Sequence, residues 1–248
     1  MNPTSELLNE LFHRLNKSKI TYCVLRNYEK LPERVGHDVD IWVSSSNEKM
    51  FQEILVNTAR DVGWEIVRYA PWLNNRGQGR YFFIKNNDQL TTIHFDCYVP
   101  IYSKGINYIE EKTLSKNLFF FEKGFYVPVY GVEASILLFK DLFHDEKIKE
   151  KYRKRISECL EKDSKGFLET VKLMVGNENA KTITDMAKSG NWKQIEKMRS
   201  LLRRLLLKRG LLTGPFSQLY QLWRYIYTRL KEHFFEDLGI FIVLIKVK

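Results

Sequence analysis

The stretch Gly36-His37-Asp38-Val39-Asp40-Ile41-Trp42-Val43 sets two carboxylates two residues apart among β-forming neighbours. Side chains of a strand alternate between faces, so Asp38 and Asp40 share one face, about 6.6 Å apart along the chain. Val39, Ile41 and Val43 then point the other way, into a core. Two carboxylates held side by side repel, and a divalent cation with a preference for hard oxygen ligands relieves that repulsion. A third acid comes from another β-run, Thr91 to Tyr98, in which Ile93, Phe95 and Cys97 fall on one face and leave Asp96 on the other. Asp88, Glu110 and Glu111 are rivals for that place and lack the alternation. His94 shares the face of Asp96, but such a histidine is more often partly buried at a sheet edge, and it stays outside the expected catalytic set. His37 points away from Asp38. Three acids gathered this way suit metal-assisted displacement at phosphorus, in which paired metals stabilise the attacking and leaving oxygens.

The elements that must carry these acids follow from periodicity. Leu7, Leu8, Leu11, Phe12 and Leu15 form one stripe of a helix over Pro3 to Lys17, with Thr4 or Ser5 as its cap. Ile20 to Leu25 reads as a strand that ends in Arg26-Asn27-Tyr28-Glu29. After the Asp38–Asp40 strand, Ser44 to Asn47 is a turn and Glu48 to Val62 a helix. Gly63 to Tyr69 is a strand, Pro71 to Gly79 a loop, and Tyr81–Ile84 with Leu90–Tyr98 a hairpin closed through Asn86-Asn87-Asp88. Tyr102 to Asn117 is ambiguous, and Phe119 to Val129 is a short β-unit. Beyond Gly131 only helical patterns remain: Val132–His144, Ile148–Leu160, Gly166–Val175, Glu178–Lys188, Trp192–Lys208 and Phe216–Phe235. The expected organisation is α+β over residues 1–130, all-α over 131–237, and an apolar strand-like tail over 238–248.

Composition narrows the class. The 248 residues suffice for a full core, and no apolar run approaches the roughly 20 residues that span a bilayer. The start of the chain lacks the basic-then-apolar order of a secretory signal. Cys23, Cys97 and Cys159 are too scattered for a disulfide framework or a zinc pattern, which suits a reducing, cytoplasmic setting. The net charge of +10 is uneven: residues 1–130 carry 16 Lys+Arg and 15 Asp+Glu, residues 131–248 carry 24 and 15. The balanced first half argues against a groove for a long nucleic acid. The basic second half suits an anionic partner, or simply solvated helix faces.

A strand, a turn, then G-x-D-x-D among apolar residues, with a third Asp on a later strand, resembles the DNA-polymerase-β-like nucleotidyltransferase superfamily. Tyr22 to Glu29, followed by Leu31-Pro32, is similar to an uncharacterised bacterial branch of it. The resemblance covers roughly residues 20–100. It implies a mixed β-sheet with helices followed by a helical domain, and two-metal phosphoryl transfer with two Mg²⁺ ions. Asp38 and Asp40 would ligate the ion on the triphosphate side; Asp96 would hold the second and help deprotonate an acceptor hydroxyl. The superfamily's Gly-Ser phosphate cradle is replaced here by Arg26-Asn27. Either the Arg26 guanidinium takes over that role or the nucleotide pocket is altered. Arg80 starts a hairpin strand near the expected cleft, and Lys140, Lys147, Tyr152 and Arg153 lie on the helices that line the cleft in the superfamily.

The expected activity is therefore transfer of a nucleoside monophosphate from an NTP to a hydroxyl or phosphate of a small molecule or glycan precursor. A non-catalytic binding module of the same fold and a D-x-D glycosyltransferase are the alternatives. Met198–Arg209 and Leu219–Phe235 interleave basic, aliphatic and aromatic residues. Packing inside the domain is the first reading for them, and peripheral contact with an anionic membrane the second. The oligomeric state has no signature in the sequence. In the resembling branch a P-loop domain can follow a strand like Leu238–Ile245, but no Gly-rich loop is present here.

Overall fold

The computed structural model describes residues 2–36, 38–71, 79–86, 88–99 and 101–236. The order is α1 (Pro3–Lys17), β1 (Tyr22–Val24), β2 (Val39–Val43), α2 (Glu48–Asp61), β3 (Trp64–Pro71), β4 (Gly79–Lys85) and β5 (Asp88–Tyr98). Next come β6 (Tyr102–Ser103), β7 (Ile106–Asn107), α3 (Glu111–Lys116), β8 (Leu118–Phe121) and β9 (Phe125–Pro128). Helices α4 (Tyr130–Lys140), α5 (Glu150–Val175), α6 (Asn177–Lys188), α7 (Trp192–Lys197), α8 (Arg199–Thr213) and α9 (Pro215–Glu236) follow. The fold is thus mixed: five strands in order β1-β2-β5-β4-β3, then helices. The apolar tail expected over 238–248, His37 and most of the expected 71–79 loop lie outside the described residues. No helix among those described is long and apolar enough to cross a membrane.

The sheet is antiparallel except where β2 runs parallel to β5, with Val39 opposite Phe95, Asp40 opposite Asp96 and Trp42 opposite Tyr98. Alternation sends Val39, Ile41 and Val43 of β2, and Ile93, Phe95 and Cys97 of β5, into one apolar cluster with Leu7, Leu11 and Leu15 of α1 and Phe51 and Leu55 of α2. Burying each of these large side chains stabilises the fold by roughly 1.5–3 kcal/mol. The opposite face of the sheet is divided. Cys23, Leu25 and Trp42 join a second cluster built by α4 to α8, while the positions beyond them on β2 and β5 carry acids. One apolar cluster therefore spans both sides of residue 130.

Several boundaries differ from the sequence expectation. The cap of α1 is Asn2, whose side chain accepts from Thr4 N at 3.0 Å, not Thr4 or Ser5. The helix expected over 132–144 ends at Lys140 and continues as a wide π-type turn through Asp145. The two helices expected over 148–160 and 166–175 are the two limbs of α5, which meet in a kink at Asp163, whose backbone (φ −149°, ψ 62°) is not helical. That kink has a cause. The Asp163 carboxylate accepts from Gly131 N at 3.1 Å and from Gly166 N at 2.8 Å, and α4 passes so close that a Cβ on Gly131 would lie 2.2 Å from Phe167 N. The single helix expected over 192–208 breaks into α7 and α8 at Met198.

Candidate metal centre

The polar positions of the sheet form a small lattice. Register pairs Arg80 of β4 with Asp96 of β5, and Asp96 with Asp40 of β2. Two residues along, Phe82 pairs with His94, and the parallel register carries His94 on toward Asp38, just before β2. The result is a row Arg80–Asp96–Asp40 beside a row Phe82–His94–Asp38, all on the face opposite the α1–α2 cluster. The parallel pairing of β2 with β5 thus brings together residues 38, 40, 94 and 96.

The members of the lattice have different fates. Asp40 is 1% exposed and both of its oxygens are occupied. Arg26 Nε donates to Oδ2 at 2.6 Å, Arg26 Nη2 donates to Oδ1 at 2.7 Å, and Tyr98 Oη donates to Oδ1 at 2.9 Å. Such a bidentate fork is the strongest geometry available to an arginine–carboxylate pair. Burial disfavours the Arg26 charge, but Asp40 more than offsets it and the guanidinium sits well above its ordinary value. Arg26 also reaches Tyr152 Oη at 3.4 Å, with its guanidinium carbon 5.9 Å from the centre of that ring.

Asp38, His94 and Asp96 form the open part of the site. Each offers one ligand atom, and the three atoms lie within 4.8 Å of one another. Asp38 and His94 are half-buried, with His94 Nε2 3.9 Å from Asp38 Oδ2. Asp96 is buried and its Oδ1 accepts from Arg80 Nε at 3.0 Å. Its carboxyl is pushed up to about 6, first by burial and then by the negative charges of Asp40 and Asp38, against the pull of Arg80 and His94. Asp38, His94 and Asp96 could together hold one divalent ion; the carboxylates suit Mg²⁺ or Mn²⁺, while the imidazole suits a transition metal. Arg26 and Tyr98 together take three of the roughly four lone-pair sites of the Asp40 carboxylate.

The remaining expected site residues are dispersed. Arg80 stands at the rim, its side chain 49% exposed. The Lys140 ammonium bonds Asp141 at 3.1 Å and Asp145 at 2.8 Å and lies 5.3 Å from the Tyr152 ring centre, so it belongs to the wall behind Arg26. Arg153 donates to Ile148 O at 2.9 Å and meets Glu196 at 3.3 Å, which makes it a tie between α5 and α7. Lys147 is exposed. Asn27 is exposed at φ +57°, where it turns the chain out of β1. His94 and Tyr98 are what the reading of residue types underweighted. Both lie at two-residue steps from Asp96, so the signal was the same alternation that selected Asp96.

The rest of the Arg26–Glu29 stretch is anchored elsewhere. Tyr28 Oη donates to Glu133 Oε2 at 2.7 Å, and Arg155 forks onto Glu133 at 2.7 and 2.8 Å and reaches Glu29 at 3.0 Å. Burial pushes the Glu133 carboxyl up, against Arg155 and Tyr28. Arg26, Tyr28 and Glu29 therefore bind the strand end to the acid lattice on one side and to α4 and α5 on the other. The chain matches no model of a known protein family and no curated protein sequence.

Proposed function

We propose that this protein is a metal-dependent nucleotidyltransferase, of the fold its sequence resembles, acting on an NTP and a hydroxyl or phosphate of a small molecule or glycan precursor. The observation that carries the reading is the in-register pairing of Asp40 with Asp96 on neighbouring parallel strands, with Asp38 and His94 beside them. Asp38, His94 and Asp96 are the residues that would hold a divalent ion, which when bound supplies neutralisation of phosphate charge. Arg80, at the rim, is placed to take a phosphate oxygen of the NTP. Arg26 and Tyr152 form a cationic and aromatic wall next to the open group. In this reading Asp96 would also accept the proton of the acceptor hydroxyl, as a carboxylate within reach of the acceptor can.

One observation favours a second reading. The fork of Arg26 on Asp40 occupies the acid that the resemblance assigns to the metal. A binding module that takes an anionic ligand on Arg26 and Arg80 without turnover would keep that fork. Calorimetric titration of each NTP, with and without Mg²⁺ or Mn²⁺, into the wild type and the Asp38→Asn and Asp96→Asn variants separates the two. Metal-dependent NTP binding lost in both variants supports the transferase. Metal-independent binding supports the module, and no NTP binding by the folded wild type sinks both.

A further inference from the structure

Helix α9 is built inside out. Its apolar stripe recurs at helical spacing through Phe216, Leu219, Trp223, Ile226, Tyr227 and Leu230, and every one of these side chains is exposed, Phe216 at 88% and Trp223 at 59%. Tyr220, Trp223 and Tyr227 stack along the same stripe, with ring centroids 6.3 and 5.4 Å apart. The two buried side chains among the described residues of α9 are Gln218 and Gln221. Helical geometry puts them on the side opposite the stripe. That side docks on the β6–β7 turn, where Gln218 Nε2 donates to Gly105 O at 2.7 Å and Gly105, at φ +78°, lets the helix backbone approach. The fit is incomplete: Gln221 Oε1 and Ser103 Oγ are buried with no hydrogen-bond partner among the described residues.

We infer that this stripe is a docking surface for an anionic lipid bilayer. Charge selects the occupant. Residues 198–231 contain eight Lys and Arg and no Asp or Glu, with Arg203, Arg204 and Lys208 exposed on α8. Arg199 is paired with Glu146 and Arg209 bonds two backbone carbonyls, which leaves Arg203, Arg204 and Lys208 as exposed cations of α8, and a second copy would add three more like them. A negatively charged membrane neutralises them. The chemistry of the stripe agrees, since Trp and Tyr rings have an apolar body and a polar edge that suit the headgroup boundary. The Arg224 guanidinium carbon stands 5.8 Å from the centre of the Tyr220 ring, at the flank of the stripe. An amphipathic helix with an apolar aromatic face and basic neighbours lies in the plane of such an interface without crossing it. The inference is independent of the metal centre.

The test is flotation of the full chain with vesicles of phosphatidylcholine alone and of phosphatidylcholine mixed with phosphatidylserine, at low and high salt. Binding to the mixed vesicles, weak binding to the neutral ones, and release by salt are expected. Phe216→Ser/Trp223→Ser and, separately, Arg203→Glu/Arg204→Glu each lower binding at least about tenfold. All four positions are exposed, so circular dichroism of both variants matches the wild type. Failure of the folded wild type to float with the anionic vesicles overturns the proposal. So does floating that the Phe216→Ser/Trp223→Ser variant retains. Light scattering that finds a dimer dissolved by that variant, without vesicle binding, assigns the stripe to a second copy instead.

Discussion

Two buried clamps of the same composition stand about the Arg26–Glu29 stretch. In one, Arg26 forks onto Asp40 and Tyr98 donates to the same carboxylate; in the other, Arg155 forks onto Glu133 and Tyr28 donates to it. Both acids are 1% exposed. Their neighbours differ. Glu133 sits among the apolar contacts of α4 and α5, and the nearby acids Glu29 and Glu158 are both held by Arg155. Asp40 has Asp96 beside it in register and Asp38 two residues away, and Asp96 answers to a half-exposed Arg80. The same three-residue device therefore closes a structural joint in one place. In the other it leaves surplus negative charge beside partly exposed side chains. Identical pairing chemistry does not make equivalent sites; the charge left over around the pair does.

The comparison breaks most visibly under truncation of each arginine. Arg155→Met leaves Glu133 buried without its cation and is expected to cost about 3–5 kcal/mol in urea unfolding, with no recovery on adding Mg²⁺ or Mn²⁺. Arg26→Met leaves Asp40 equally bare, and its expected loss is about 3 kcal/mol in metal-free buffer. Here a divalent ion has somewhere to go. Added Mn²⁺ should raise the melting temperature of Arg26→Met more than that of the wild type, by linkage of binding to folding. Equal responses of Arg26→Met and Arg155→Met to Mn²⁺ would remove the distinction between the clamps.

Asp96 sharpens the comparison through pH. Its carboxyl is raised by burial to about 6, above the roughly 3.9 of an unfolded aspartate. The protonated form is thus the one the fold favours. The stability it contributes is present in full below the unfolded value and is lost as pH rises through about 6. Asp96→Asn does not titrate, so in metal-free buffer its stability relative to the wild type should improve between about pH 4 and pH 6.5. A relative stability flat across that range would contradict the burial argument. The same variant should abolish Mn²⁺ binding at neutral pH.

The smallest effect is expected far from both clamps. Glu146 bonds Lys104 at 2.8 Å and Arg199 at 2.6 Å, and these contacts hold its carboxyl down at about 2. A depressed acid contributes stability above its unfolded value and loses it as pH falls toward the folded one. In an exposed pair solvent screens most of this. Glu146→Gln should leave the urea midpoint at pH 7 unchanged within error, in contrast to either arginine.

Local pattern carried much of the architecture. The period-2 runs at Val39–Val43 and Ile93–Cys97 defined both which face is apolar and which residues share the other. The stripe from Leu7 to Leu15 marked α1 to the residue at both ends. These signals are legible because a half-buried strand or helix repeats its environment at a fixed step. His94 and Tyr98 carried that signal too, but residue type outweighed it. Breaks within helices were less legible. The break at Asp163 was expected between two helices, but its cause, α4 crossing at Gly131, lies 32 residues away in the chain, and the break at Met198 was not expected.

By itself the sequence determined the faces within each run: Asp38 with Asp40, and His94 with Asp96, share a side because alternation allows nothing else, and the β2–β5 pairing then set the two pairs side by side. It also determined the basic, acid-free character of residues 198–231. What only the tertiary structure decided is which acid stays open. Arg26 lies 14 residues from Asp40 and 126 from Tyr152, and no local pattern sets a fork between them. The antiparallel β1–β2 pairing and the approach of α5 place the guanidinium there. Likewise, the turn of α9 that buries its glutamines and exposes its aromatic stripe came from the β6–β7 turn at Gly105. An amphipathic repeat defines two faces of a helix, and only the packed neighbour settles which of them is inside.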